Sequence, residues 1–389
     1  MKKSALLIGG LASLVLLSGC GWFQRSSSKR ENIAEPKELT ELAPSLGVKE
    51  IWSRGLGKGA GMSGIRMMPA LAGGNLYSAG VDGEVLALDA ASGKQLWKKD
   101  FDLRFSGGPG VGQGVVAIGG LDGDVIALDA ANGTERWRAR VSAEVVAAPA
   151  IGDGTVYVRS NDGRVYAFDI NDGKQRWVND RGTVPLLSLR GNAAPRLAGE
   201  LVLNATDAGK IMAMRSSDGA AAWEQALAVS EGRTEVERLS DIDGDIFIDG
   251  DVGFAGAYHG QVVAFSVTSG RQLWNRTLSG YTNVGVSASQ VYAVDDQSQV
   301  WALDRASGAS MWKQDALLHR WLSGPAVQGD YVVVGDLQGY VHWLAIADGK
   351  LVARERLSKD AIRATPLVVG DTVYVVDAKG KLGAFRAQL

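Results

Sequence analysis

Gly83-Glu84-Val85-Leu86-Ala87-Leu88-Asp89-Ala90-Ala91-Ser92-Gly93-Lys94-Gln95-Leu96-Trp97 matters because the chain repeats it. Its pattern, Gly-x-Val-x-Ala-Leu-Asp-x-x-x-Gly-x-x-x-Trp, begins again at Gly123, Gly163, Gly209, Gly260, Ser298 and Gly339, and in truncated form at Gly380. The second glycine recurs at Gly133, Gly173, Gly219, Gly270, Gly308 and Gly349. Trp97, Trp137, Trp177, Trp223, Trp274 and Trp312 close six copies, and Ala353 takes that place in the seventh. Successive starts lie 40, 40, 46, 51, 38, 41 and 41 residues apart. A period of about 40–45 residues is that of a four-stranded propeller blade.

Each unit reads as four strands. In the first, Pro69 opens a short strand, residues 75–79 form a second, 85–88 a third and 95–97 a fourth. Asp82-Gly83, repeated as Asp122-Gly123 and Asp162-Gly163, is a two-residue hairpin signal, since both residue types tolerate positive φ. Pro69, Pro109, Pro149, Pro195, Pro325 and Pro366 each stand 14 residues ahead of a repeat start. Lacking a donor N–H, proline suits the beginning of a strand, so these residues mark where blades begin. Alanine fills the fifth position in seven of the eight copies (Ala87, Ala127, Ala167, Ala213, Ala264, Ala302, Ala384), leaving room for a neighbouring ring. Trp343 holds that position in the copy that lacks a terminal Trp, which reads as one exchanged packing solution. Asp89, Asp129, Asp169 and Asp304 are expected to accept backbone hydrogen bonds in the following turns. One carboxylate per blade is a structural pattern, because catalysis needs carboxylates that converge.

The eighth copy has no Trp strand, whereas 48–52, ending in Trp52, is a Trp strand with no copy before it. The economical solution is that the N-terminal strand completes the last blade and closes the ring, leaving no long sheet edge. The expected fold is an all-β, eight-bladed propeller held by Trp52 and the six Trp that close repeats.

The chain has 389 residues, 46% of them hydrophobic, with 51 Gly and a formal charge of −2. Such a composition suits a large folded body and offers no basic stripe for nucleic acid. The single Cys excludes an internal disulfide or a multi-cysteine metal site. His259, His319 and His342 fall in different blades without metal spacing, so neither metal nor cofactor is expected. The acidic run Asp241-Ile242-Asp243-Gly244-Asp245 fails as an EF-hand, with Gly fourth and Val252 where Glu is needed.

Lys2 and Lys3 precede an apolar run over 5–17, which is short for a transmembrane helix and suits a signal peptide. Leu17-Ser18-Gly19-Cys20 resembles the bacterial lipobox, cleaved before a Cys that is then acylated. Gly21, where inner-membrane retention uses Asp, implies the periplasmic face of the outer membrane. The expected organisation is a signal peptide over 1–19, lipidated Cys20 with a flexible tether over 20–46, and the propeller over 47–389. A tether of that length reaches roughly 30 Å r.m.s..

The repeat resembles the tryptophan-docking motif of quinoprotein alcohol dehydrogenases and their non-enzymatic relatives. In that group the Trp of one blade packs on its neighbour. Within it, the lipobox, tether and eight units together resemble the BamB family, lipoprotein subunits of the outer-membrane β-barrel assembly machinery. Residues 184–195 and 234–243 carry the likeness most specifically, with Leu318-His319-Arg320 and 339–343 adding to it. The resemblance implies a non-enzymatic scaffold that binds the periplasmic POTRA domains of the barrel insertase and aids insertion of β-barrel proteins. It places Leu187, Leu189, Arg190, Asp241 and Asp243 at that contact. Two readings of the acids stay open: they accept bonds from the partner, or they hold Arg190 in place. Unfolded outer-membrane clients are a further conceivable partner, adding a strand to a blade edge.

Spacing singles out the same stretches. From closing Trp to the next blade-opening position takes 12 residues in the first two full blades, 18 from Trp177 to Pro195, and 23 from Trp223 to Ile246. Both long connections leave an outer strand for the next inner strand, so they share a face on neighbouring blades, where binding usually resides. The rival reading is a quinone-dependent dehydrogenase. Those enzymes need a vicinal cysteine pair, which a lone Cys20 outside the propeller cannot supply. A periplasmic sensor or peptidoglycan-binding propeller has only the generic fold in its favour.

Overall fold

Each repeat forms an antiparallel sheet whose second and third strands are buried on both sides between neighbouring blades, while the outer strand buries little beyond its Trp. A computed structural model of the chain describes residues 34–61, 65–180, 193–227 and 242–388. It divides into a short unit, Met1–Glu35, and a large one, Pro36–Leu389. The expected signal peptide over 1–19 and the expected lipidation site Cys20 lie outside the described residues. The large unit holds eight four-stranded sheets, blades 1 to 7 covering 70–100, 110–140, 150–179, 196–226, 247–277, 285–314 and 326–356. Blade 8 combines Leu367–Val369, Thr372–Val376 and Lys381–Ala387 with the N-terminal strand Val48–Gly55. In blades 1 to 7 the strand order follows the chain outward, and first strands of neighbouring blades touch near the axis. Six first strands begin one residue after the marker prolines, at Ala70, Gly110, Ala150, Arg196, Ala326 and Leu367. The expected eight-bladed ring with an N-terminal closing strand is the observed fold.

The outer strands show why the Trp recurs. In Gln95–Asp100 only Trp97 is buried, and its indole lies over Gly133 of the next blade. Gly133 has φ of 72°, and a Cβ added there would sit 2.7 Å from the ring, so glycine is needed on both counts. The same stack joins Trp52 to Gly93, Trp137 to Gly173, Trp177 to Gly219, Trp223 to Gly270, Trp274 to Gly308 and Trp312 to Gly349. Each indole N–H donates to a carbonyl of the turn beneath it, as Trp137 does to Ile170 O at 2.8 Å and Trp52 to Ala90 O at 3.1 Å. Across its own sheet each ring faces the small fifth position: Ala87 pairs with Trp97, Ala213 with Trp223 and Ala384 with Trp52. The carboxylates Asp89, Asp129, Asp169 and Asp304 accept backbone N–H bonds in those turns, as expected. Arg176 and the Asn171 N–H together hold the Asp169 carboxyl down to about 2.

The seam between blades 7 and 8 differs. Trp343 stands opposite Ala353, so the large and small partners have changed strands at one cross-strand pair. The Trp343 ring is fully buried, meets Phe385 edge-on at 6.2 Å, and donates to Gln328 Oε1 at 2.8 Å. Gln328 in turn donates to Asp371 O at 2.6 Å.

Part of the stretch assigned by composition to the tether is bound to this region. Lys37 N–H donates to Leu318 O at 2.9 Å, and the Ser45 and Leu46 N–H groups both donate to Val352 O. Arg320 and Arg354 donate to the carbonyls of Lys37 and Thr40. Leu39 packs beside Leu317, Leu322 and Leu344, and Leu46 is buried with Val333, Ala353 and Trp343. Residues 36–46 therefore form a strap on blades 6 and 7, in place of the flexible tether expected for them.

Candidate functional site

The face that carries the turns between second and third strands also carries the exits from outer strands. Phe101 N–H bonds Gly83 O at 2.9 Å and Leu227 N–H bonds Gly209 O at 2.8 Å, so each exit runs beside such a turn. The tryptophan-docking turns lie on the opposite face. One long connection runs from Gln175–Asn179 to Arg196–Ala198, and the other from Ala221–Ala226 to Phe247–Asp249. Leu187, Leu189, Arg190 and Asp241 fall in parts of these connections outside the described residues. Their roots are described, and the roots meet.

Asp245 is the meeting point. Its carboxylate accepts the Ala194 N–H at 2.7 Å and a guanidinium bond from Arg196, while its own N–H donates to Asn283 Oδ1 at 3.0 Å. Asp245 thus ties the last residues of the first connection to those of the second through its side chain, and to Asn283 ahead of blade 6 through its backbone. Ile242 and Ile246, both buried, pack in one cluster with Ala193 at the end of the first connection and Leu203 of blade 4. Gly244 lies against the backbone of Thr282, where a Cβ would be 2.4 Å from its carbonyl oxygen, so the root must be glycine to sit this deep.

Asp243 is only 5% exposed and pairs with Arg66 at 2.5 Å. Arg66 also donates to Tyr281 O at 3.1 Å. Because Arg66 precedes blade 1 and Asp243 precedes blade 5, this pair braces opposite sides of an eight-membered ring. Its carboxylate is engaged inside the propeller. A second buried pair, Arg159 with Asp207, joins blades 3 and 4.

Blade 7 holds a third cluster on this face. Arg320 Nε donates to Asp336 Oδ2 at 2.9 Å, and His342 Nε2 lies 3.0 Å from the same oxygen. Burial opposes the Asp336 charge, yet the His342 bond, the Tyr340 N–H and Arg320 keep its pKa below the ordinary carboxylate value. Burial pushes the His342 pKa down against the pull of Asp336. Among the described residues, no three His, Cys, Asp or Glu side chains gather as a metal site.

Sequence reasoning located the two connections and Asp243 but missed Asp245, Arg66, Arg196 and Asn283. Asp245 was visible in the alternating acids of 241–245, yet nothing local indicated its bonds to blades 4 and 6. Arg66 lies 177 residues from Asp243 in sequence.

A family model described as outer membrane protein assembly factor BamB matches residues 47–105, 81–314 and 311–388. The outer membrane protein assembly factor BamB of Pseudomonas aeruginosa is 49% identical over 384 residues, covering 99% of this chain and 98% of its own length. That of Xanthomonas campestris pv. campestris is 46% identical over 385 residues, covering 95% and 94% respectively. The crystal structure of BamB from Moraxella catarrhalis superposes with a TM-score of 0.80 at 27% identity, over 87% of this chain and 100% of that one. With an eight-bladed ring, docked tryptophans and matches of this extent, the chain belongs to the BamB family of outer membrane protein assembly factors.

Proposed function

We propose that this chain is a non-enzymatic scaffold of outer-membrane protein assembly. Cys20, acylated after signal cleavage, anchors it to the periplasmic face of the outer membrane. The face bearing the two long connections docks the POTRA domains of the barrel insertase, and that contact holds the insertase's periplasmic arm in a productive orientation. Leu187 and Leu189, alternating across Ser188, offer an apolar anchor. Arg190 supplies directional bonds to partner carbonyls or carboxylates. The observation that carries the reading is the convergence on Asp245 of the two roots from which the long connections spring. Asp241 serves at the same surface, and Asp243, through Arg66, supports it from beneath.

The test is co-purification of the insertase with the full-length lipoprotein from membranes. Leu187→Ala with Leu189→Ala, Arg190→Ala, and Asp241→Ala are each expected to reduce recovery about ten-fold or more, with melting temperature near wild type. Asp89→Ala, on a docking turn of the opposite face, is expected to retain the partner. Normal recovery by all the folded variants would remove the proposed surface. For the anchor, Cys20→Ala with a processable signal is expected to release a folded propeller into the periplasm. Its quantitative retention in the outer membrane without the partner would overturn the anchor assignment.

A further inference from the structure

One turn on the long-connection face departs from its seven counterparts. Where the second strand turns into the third, positive φ falls on Gly83, Gly123, Gly163, Gly209, Ser298, Gly339 and Gly380. In blade 5 it falls instead one residue earlier, on His259, at 49°. A side chain in the left-handed region is uncommon, and such residues gather at ligand clamps and switches. The result is to lay the exposed His259 ring on Tyr258, with centroids 4.0 Å apart and planes at 24°. Tyr281 meets Tyr258 edge-on at 6.4 Å.

The next blade brings a carboxylate to these rings. His259 N–H donates to Ser279 Oγ at 3.1 Å, and Asp296 N–H donates to Ser279 O at 2.9 Å, so one residue fixes both turns. Burial first, then the charge of Asp296, raises the Tyr258 phenol pKa, consistent with their proximity. Among the described residues, neither the Asp296 carboxylate, the Tyr258 hydroxyl nor the His259 ring nitrogens make a hydrogen bond or ion pair. Every other acid singled out at the mouth of this face, Asp207, Asp243, Asp245 and Asp336, is already paired with an arginine.

We infer that Tyr258, His259 and Asp296 form a receptor for an arginine side chain presented by a protein that docks on this face. Aromatic faces carry negative quadrupole charge and attract cations. A guanidinium is planar and weakly hydrated, so it stacks on such faces while its edge pairs with a carboxylate; an ammonium has no plane to stack. Blade 5 is the blade that the second long connection enters, which puts the receptor on the same face as the proposed docking surface and on one of its blades. The inference rests on that reading of the face, and the experiment separates the two.

The chain has three histidines, so selective ring labelling yields three signals, with buried His342 as an internal reference. The mature protein is titrated with N-acetyl-arginine-amide and, as a neutral isostere, N-acetyl-citrulline-amide. The arginine probe is expected to shift the His259 signals saturably without moving those of His342. The citrulline probe, and the arginine probe with Asp296→Asn, are expected to bind at least about five-fold more weakly. Equal binding of the two probes, or no change in Asp296→Asn, would overturn the receptor. Insertase recovery is then compared for Asp296→Asn and Arg190→Ala. Loss with both supports the receptor as a docking contact. Loss with Arg190→Ala alone overturns its role in docking while leaving the proposed function intact. Loss with Asp296→Asn alone supports the receptor and counts against the Arg190 contact.

Discussion

Seven seams of this ring are built alike, and the seam between blades 7 and 8 is not. At the seven, a Trp on an outer strand rests on a glycine in the turn between the neighbour's third and fourth strands. Blade 8 has no such turn, because its third strand, Lys381–Ala387, and its fourth, Val48–Gly55, are far apart in sequence and no hairpin joins them. A Trp at position 353 would have nothing to rest on. The bulk has moved to Trp343 on the third strand, and Leu46 of the strap fills the space outside it. A docked Trp is therefore half of a motif whose other half is a closed turn, and where the turn is missing the ring must be reached another way.

The largest expected effects come from the rings themselves. Trp137→Ala and Trp343→Ala should each cost about 3–5 kcal/mol in denaturant melts, by the usual cost of emptying a buried aromatic site, and Trp52→Ala, at a half-buried ring, about 2–4 kcal/mol. The exchange Trp343→Ala with Ala353→Trp should recover little of the loss, because no glycine turn awaits the new ring. Recovery to near wild type would show that the turn is dispensable and would break the comparison. Next is the strap. Deleting 21–35 should leave the melt unchanged, whereas deleting 21–46 should cost about 2–4 kcal/mol through the lost burial of Leu46 and Leu39. Equal melts would mean that the strap does not substitute for a docked ring. Gly173→Ala should cost about 1–3 kcal/mol, since φ is 70° and the added Cβ would lie 2.7 Å from Trp137. Gly370→Ala, at φ of 58° but with open space around its Cβ position, sharpens this by isolating the backbone contribution.

The smallest effect concerns pH. The folded pKa of His342 lies below its unfolded value, so the unfolded chain binds more protons as pH falls below about 6.5. Stability from this group is complete above that value and is lost as pH drops through it. Replacing His342 with Gln should flatten the decline in melting temperature between about pH 7.5 and 5.5. An unchanged slope would show that blade 7 owes nothing to the neutral imidazole.

The ring was legible because its causes repeat. The Trp, the glycine, the alanine opposite and the proline at each blade start recur with fixed spacing, and even the exchange at Trp343 stood out as one deviation in an otherwise regular column. The strap was not legible. Residues 36–46 are polar and aperiodic, only Leu39 and Leu46 pack, and most of its bonds use backbone atoms that no side-chain pattern encodes. The candidate site was legible as loop length and charge. Its construction was not, because Asp245 and Arg66 find partners across blades that only the closed ring brings together. The His259 turn was hidden too, since His259-Gly260 reads like the Asp-Gly turns of other blades until the dihedral angles are known.

The pairing of Val48 with Ala387 has a consequence for time as well as for structure. The strand Val48–Gly55 finds its partner only once Lys381–Ala387 has been made. Until then Val48–Gly55 has no sheet to join, blade 8 is incomplete, and Trp52 has no sheet of its own from which to hold blade 1. Closing a contact across nearly the whole chain is slow by its topology, so ring closure should be the late step in reaching the native state. The exposed edges of blades 1 and 8 are then the surfaces most open to mispairing while the molecule waits.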